Sequence, residues 1–259
     1  MMHIYKILMF TKWILPVIIF SITISTSANP TIKDYSEKLY QSYMTGDMDV
    51  WVAVINELEQ SYRNDRNSNT LFNLIQTQYG YIGYLIGAEQ KRAARDYLKK
   101  AEDNTDKLLQ KKTDNADAIA IKAALLAYNI ALAPYKAPFL GPKSMNLIDE
   151  ALAIDNNSVQ ALLEKGNATH YAPSMFGGDP IQAIKYYSKA LSQMEMASNE
   201  QQPKTWLYIN TLTQIAMAQE KANLTQDALG TYNRILSIAP EFKWVKDELL
   251  PDLKKKLKN

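Results

Sequence analysis

From Thr31 to the C-terminus the apolar side chains return every three or four residues, and no alternating run of useful length interrupts them. That period calls for helices and leaves no place for a sheet, so the chain must bury its apolar stripes helix against helix. Ile32, Tyr35, Leu39 and Tyr43 mark a first helix that ends near Gly46, and Trp51, Val54, Ile55 and Leu58 mark a second. The polar stretch 63–69 then reads as a loop with a Ser or Asn cap. Leu71, Leu74, Gln78, Ile82 and Leu85 run down a third helix closed by Gly87, and Ala94, Leu98, Ala101, Leu108 and Leu109 follow on a fourth. Three further pairs are expected at 117–133 with 143–154, 158–171 with 180–194, and 204–221 with 225–238, and 240–249 closes the array. Most prolines fall between these segments or in a first helical turn, where a missing N–H costs little.

The first 28 residues follow a different pattern. Lys6 and Lys12 precede an apolar run from Ile14 to Ile24, and the small residues Ser25, Thr26, Ser27 and Ala28 follow. That order is the layout of a secretory leader, with cleavage after Ala28. An uncleaved anchor is the other reading. Lys12 and Pro16 interrupt its apolar stretch, whereas a span needs about 20 clean apolar residues. With no cysteine in the chain, no acylated anchor can follow. The product is therefore expected in the periplasm or outside the cell and not as an integral membrane protein.

Charge and composition exclude several function classes. Of 29 Lys and Arg the leader takes two, leaving 27 against 27 Asp and Glu, so no basic surplus exists to neutralise a nucleic acid. The lysines at 254, 255, 256 and 258 suit a solvated helix end. Absent cysteine removes disulfides, thiolate metal sites and thiol nucleophiles, and two histidines, His3 and His170, cannot build a multi-histidine site. No phosphate loop, nucleophile elbow, zinc-protease helix or calcium loop occurs. The expectation is no catalytic residue, no metal and no cofactor.

Repeat spacing distinguishes a stack of hairpins from a bundle. Leu212, Ile215, Ala216 and Gln219 are followed by Ala228, Tyr232 and Pro240, with twelve residues from one small position to the next. Tyr79, Ile82, Gly83 and Ile86 precede Ala94, Leu98 and Ala101. Ser144, Ile148 and Ala151, and then Ala183, Tyr187 and Ala190, repeat the second-helix signature. The pattern resembles the tetratricopeptide repeat family over roughly 70–240, with Gln219 standing where that family has tyrosine. The resemblance implies a right-handed all-α solenoid of antiparallel helix pairs. Its domains would be a leader at 1–28, an N-terminal hairpin at 29–66, repeats at 67–241, and a capping helix with a basic tail at 242–259. In such repeats small residues let paired helices approach, and no unit buries its apolar face alone.

Two loops, 134–142 and 172–179, are too long for a repeat turn, and each carries Pro, an aromatic and Gly. Phe176-Gly177-Gly178-Asp179 before Ala183, Ile184 and Tyr187 resembles exported bacterial tetratricopeptide proteins, and more loosely the T-component of tripartite periplasmic transporters. Two readings stay open for Phe139, Leu140, Met175 and Phe176: a lip over a binding groove, or side chains tucked into the core. Carrying the family's inward positions across by register implies a groove lined by Tyr84, Tyr128, Asn167, His170, Asn210, Thr213 and Met217, with Phe176 at its lip. Sixteen tyrosines suit such a half-wet surface, or else fill space between hairpins. The implied function is non-catalytic capture of a protein or peptide partner in the cell envelope. The alternative is a periplasmic small-molecule carrier or transport accessory.

Overall fold

The computed structural model describes residues 32–198 and 203–257. The leader expected over 1–28 lies outside them. The helices run α1 (Ile32–Thr45), α2 (Met48–Asp65), α3 (Ser68–Gly87), α4 (Lys91–Lys111), α5 (Ala116–Leu132), α6 (Ala137–Ile154), α7 (Val159–Tyr171), α8 (Pro180–Ser198), α9 (Trp206–Lys221) and α10 (Thr225–Ile238). A π-wound segment, Trp244–Leu249, then passes into α11 (Leu250–Lys256). Among the described residues there is no strand. Short polar side chains start the helices where the sequence places them. Asn67, Asn115, Ser158, Asp179 and Thr205 each accept a backbone N–H two or three residues on.

Three expectations need correction. The stretch 63–69 is almost wholly helical: α2 continues to Asp65, and Arg66 takes a left-handed conformation (φ 52°) that ends it. Asp65 braces this two-residue turn by accepting from the Asn67 N–H and the Thr70 hydroxyl, both at 2.8 Å. The stretch 134–142 is not a long loop either. It forms one 3₁₀ turn, Pro134–Lys136, and then the start of α6. Pro138 sits in the first turn, where its missing N–H has no intrahelical partner to lose, and Pro142 forfeits a single bond. The final helix begins at Trp244 rather than at 240 and extends to Lys256. Pro251 has no N–H to give Asp247, and the π winding lies immediately before it.

Each helix packs on its successor, and α3, α5 and α7 also pack side by side as an inner row. Small residues set these approaches. A Cβ on Gly166 would lie 2.5 Å from the Tyr187 ring, and one on Gly83 would lie 2.9 Å from the Tyr128 hydroxyl. A Cβ on Gly80 would meet Trp51 at 2.8 Å and Trp206 at 2.9 Å. The alanines at 94, 101, 151, 183, 190, 216 and 228 are fully buried. Gly87, by contrast, has open space around it.

The arrangement is an all-α solenoid of helix hairpins, with an addition that helical period alone does not imply. Helix α1 packs against α9. The Tyr43 hydroxyl donates to Asn210 Oδ1 at 3.0 Å across 167 residues of sequence. The Tyr43 ring also stands 5.0 Å from Phe242, 6.2 Å from Trp206 and 6.3 Å from Trp51. The first hairpin thus reaches the last repeat.

Candidate functional site

The inner row brings one polar group into an aromatic enclosure. Glu164 follows Ala161, Leu162 and Leu163 on α7 and is only 4% exposed. Gln160 Nε2 donates to Glu164 Oε1 at 2.7 Å, and Asn167 Nδ2 donates to Oε2 at 3.1 Å. Tyr79 of α3 also hydrogen-bonds the carboxyl, and its ring stacks on Tyr128 of α5 with centroids 5.5 Å apart. From α8 the Tyr187 hydroxyl donates to Asn167 Oδ1 at 2.8 Å. Burial pushes the Glu164 carboxyl up to about 7, against the bonds from Asn167, Tyr79 and Gln160 that favour its charged form. The hydroxyls of Tyr79 and Tyr128 are raised in turn, by burial first and by Glu164 second. Four helices therefore share one hydrogen-bonded network, whose charge changes near neutral pH.

The register-derived residues do not share one site. Tyr128 and Asn167 meet at Glu164. Asn210 faces α1 and accepts from Tyr43. His170 is buried, 4.5 Å edge-on to the Tyr171 ring, and its Nδ1 has no hydrogen-bond partner. Burial and then the neighbouring Lys221 lower its basicity to about 4, so it is neutral at physiological pH. Lys221 Nζ donates to the His170 carbonyl oxygen, tying the end of α9 to the end of α7. Met217 is half-buried on α9, whereas Thr213 is fully buried and its hydroxyl donates to the Ile209 carbonyl at 2.9 Å, so it lines no groove. Tyr84 is 41% exposed and stacks on Tyr81 at 6.0 Å, outside the network.

Phe176 also lies outside the network. It is 74% exposed on the 3₁₀ turn Ser174–Phe176, and Phe139 is equally exposed at the start of α6. Neither phenylalanine tucks into the core. The turn itself is built tightly. Gly177 takes φ 87°, and a Cβ on Gly178 would overlap the Ala172 carbonyl oxygen. Asp179 N–H donates back to the Thr169 carbonyl at 2.9 Å.

Register reasoning missed Glu164, Tyr79 and Tyr43. A signal for Glu164 was present: an acid directly after Ala161, Leu162 and Leu163 and two residues before the close-contact Gly166. Among the described residues no group of three or more His, Asp or Glu could hold a metal ion. No described helix is long and apolar enough to cross a membrane.

No family model matches the chain, and no curated protein does. Among solved structures, it is similar to TTC0263, a thermophilic TPR protein in Thermus thermophilus. That likeness covers 86% of this chain and 96% of the other, at 12% identity and a TM-score of 0.54. It places the chain in the tetratricopeptide-type fold. The MamA protein aligns over 83% of this chain and 94% of its own, at 21% identity and a TM-score of 0.37.

Proposed function

We propose that this chain is an exported, non-catalytic binding module that holds a protein or peptide partner on the inner face of its helix stack. The observation that carries the reading is the convergence of side chains from successive inner helices. Tyr128 of α5, Asn167 and Tyr171 of α7, and Asn210 and Gln214 of α9 stand half-buried or exposed there, and the Tyr171 hydroxyl bridges to Gln214 Oε1 at 2.8 Å. Tyr171, exposed along one side and held on a rigid helix, supplies contact area at little entropic cost. Glu164 is enclosed by the groups that bond it, so its carboxyl serves the framework rather than a substrate.

Export is supported by the leader layout at 1–28. Intact-mass analysis of protein expressed with its own N-terminus is expected to show a chain beginning at Asn29; a chain retaining Met1 or Met2 overturns the cleavage.

Partner binding is tested by placing a benzophenone amino acid at Tyr171, with exposed Lys107 of α4 as control, and irradiating envelope preparations. A discrete protein adduct is expected from position 171 and none from 107. Equal adducts at both positions, or none at 171, overturn the inner-face reading.

A further inference from the structure

Eleven large hydrophobic side chains are exposed among the described residues; setting aside Tyr171, which belongs to the inner face, all but Ile154, Met196 and Leu257 lie at one edge of the stack. This edge is formed by the turns that follow α3, α5, α7 and α9. Arg95, in the first turns of α4, donates to the Leu132 carbonyl at the end of α5 at 3.2 Å, and Lys221 donates to the His170 carbonyl at the end of α7. These bonds hold neighbouring turns together. Two turns project furthest: Tyr135 and Phe139 are 77% and 74% exposed, and Met175 and Phe176 are 83% and 74% exposed. Helices α5 and α7 pack side by side, so the two tips are neighbours. An apolar concentration of this kind on one edge calls for a partner.

We infer that this edge docks on the surface of an anionic phospholipid bilayer. The most exposed apolar side chains stand together on two short neighbouring turns, which suits insertion among lipid headgroups. Tyrosine belongs at the headgroup level, with phenylalanine and methionine deeper. The charge agrees: residues 133–148 contain Lys136 and Lys143 and no carboxylate. The nearby Asp179 is engaged in capping α8, accepting the Gln182 N–H at 3.0 Å. Lysines at that depth complement a negative leaflet. The surface is separate from the inner face, so either reading can fail alone.

The chain has no cysteine, so a single introduced thiol labels cleanly. Phe176→Cys and Lys107→Cys are each labelled with an environment-sensitive nitrobenzoxadiazole dye and mixed with vesicles of phosphatidylethanolamine containing phosphatidylglycerol. The expected result is a blue shift and rise in emission at position 176 and none at 107. Replacing Phe139 and Met175 together by serine is expected to weaken vesicle binding about tenfold or more, with helicity unchanged. No response at 176, or an equal response at 107, overturns the proposal. An equal response with pure phosphatidylcholine overturns its anionic part. A response at 176 only to lipid-free envelope protein overturns the bilayer in favour of a protein partner.

Discussion

Replacing Trp206 by alanine is expected to lower the unfolding free energy by about 4 kcal/mol, the usual cost of truncating a buried aromatic. The indole sits where three parts of the stack meet. Its ring centroid lies 5.2 Å from Trp51 of α2, 6.2 Å from Tyr43 of α1 and 6.5 Å from Tyr79 of α3. Gly80 leaves room for this meeting, since a Cβ there would strike both indoles. Trp51 is itself fixed by an Nε1 bond to the Thr77 carbonyl at 2.9 Å, so it cannot swing across to fill the void. The loss is therefore expected to be regional as well as large. In hydrogen exchange, α1 and α2 lose protection while α10 keeps most of its own. Urea unfolding supplies the free energy. A uniform fall in protection, or a loss below about 1 kcal/mol, would show that Trp206 does not join the first hairpin to the last repeat.

The second large effect is a pH dependence that two buried groups hide from each other. Glu164 has a folded value of about 7 against an ordinary 4.5. The folded chain holds that proton more tightly than the unfolded one, so this stabilisation is full below pH 4.5 and is lost as pH rises to about 7. The interval corresponds to about 3 kcal/mol. His170 runs the other way. Its folded value of about 4 lies below the ordinary 6.5, so its stabilisation is full above 6.5 and is lost as pH falls toward 4. Between 4.5 and 6.5 the two slopes oppose, and the parent chain is expected to show a shallow profile there. Glu164→Gln removes one slope. Its stability rises with pH up to about 6.5, and near neutrality and above it exceeds the parent by roughly 2–3 kcal/mol. His170→Asn leaves the other slope, with stability falling from pH 4.5 to 7. Chemical denaturation across this range reads all three chains, and parallel profiles would refute the assignment to Glu164 and His170.

The elements that were legible in the sequence are those whose causes are local. Helical period located the helices: α10 begins at Thr225 and α7 ends at Tyr171, where the spacing put them. The small-residue step located close packing as well, since Gly166 against Tyr187 and the buried Ala216 and Ala228 stand where spacing put them. Proline misled at 134–142, because a helix tolerates it in its first turns. Inner-face register brought Tyr128 and Asn167 to a common neighbour but did not point to Glu164. It also placed Tyr84 inward, where the side chain instead stacks on Tyr81 outside the network. The contact of Tyr43 with Asn210 was not legible at all. It depends on how far the stack curves over many hairpins, and no window of sequence records a curvature.

That contact changes what kind of object the stack is. A repeat array with free ends behaves as a one-dimensional chain of neighbours, able to fray from its termini and to gain or drop a unit at modest cost. Here the end hairpins touch, through Tyr43 with Asn210 and through Trp51 with Trp206. The number of units is thereby fixed by the need to meet, as the staves of a hoop must close. Inserting or deleting one hairpin anywhere would open the seam, so an evolutionary change in length must be paired with a new way of joining the ends.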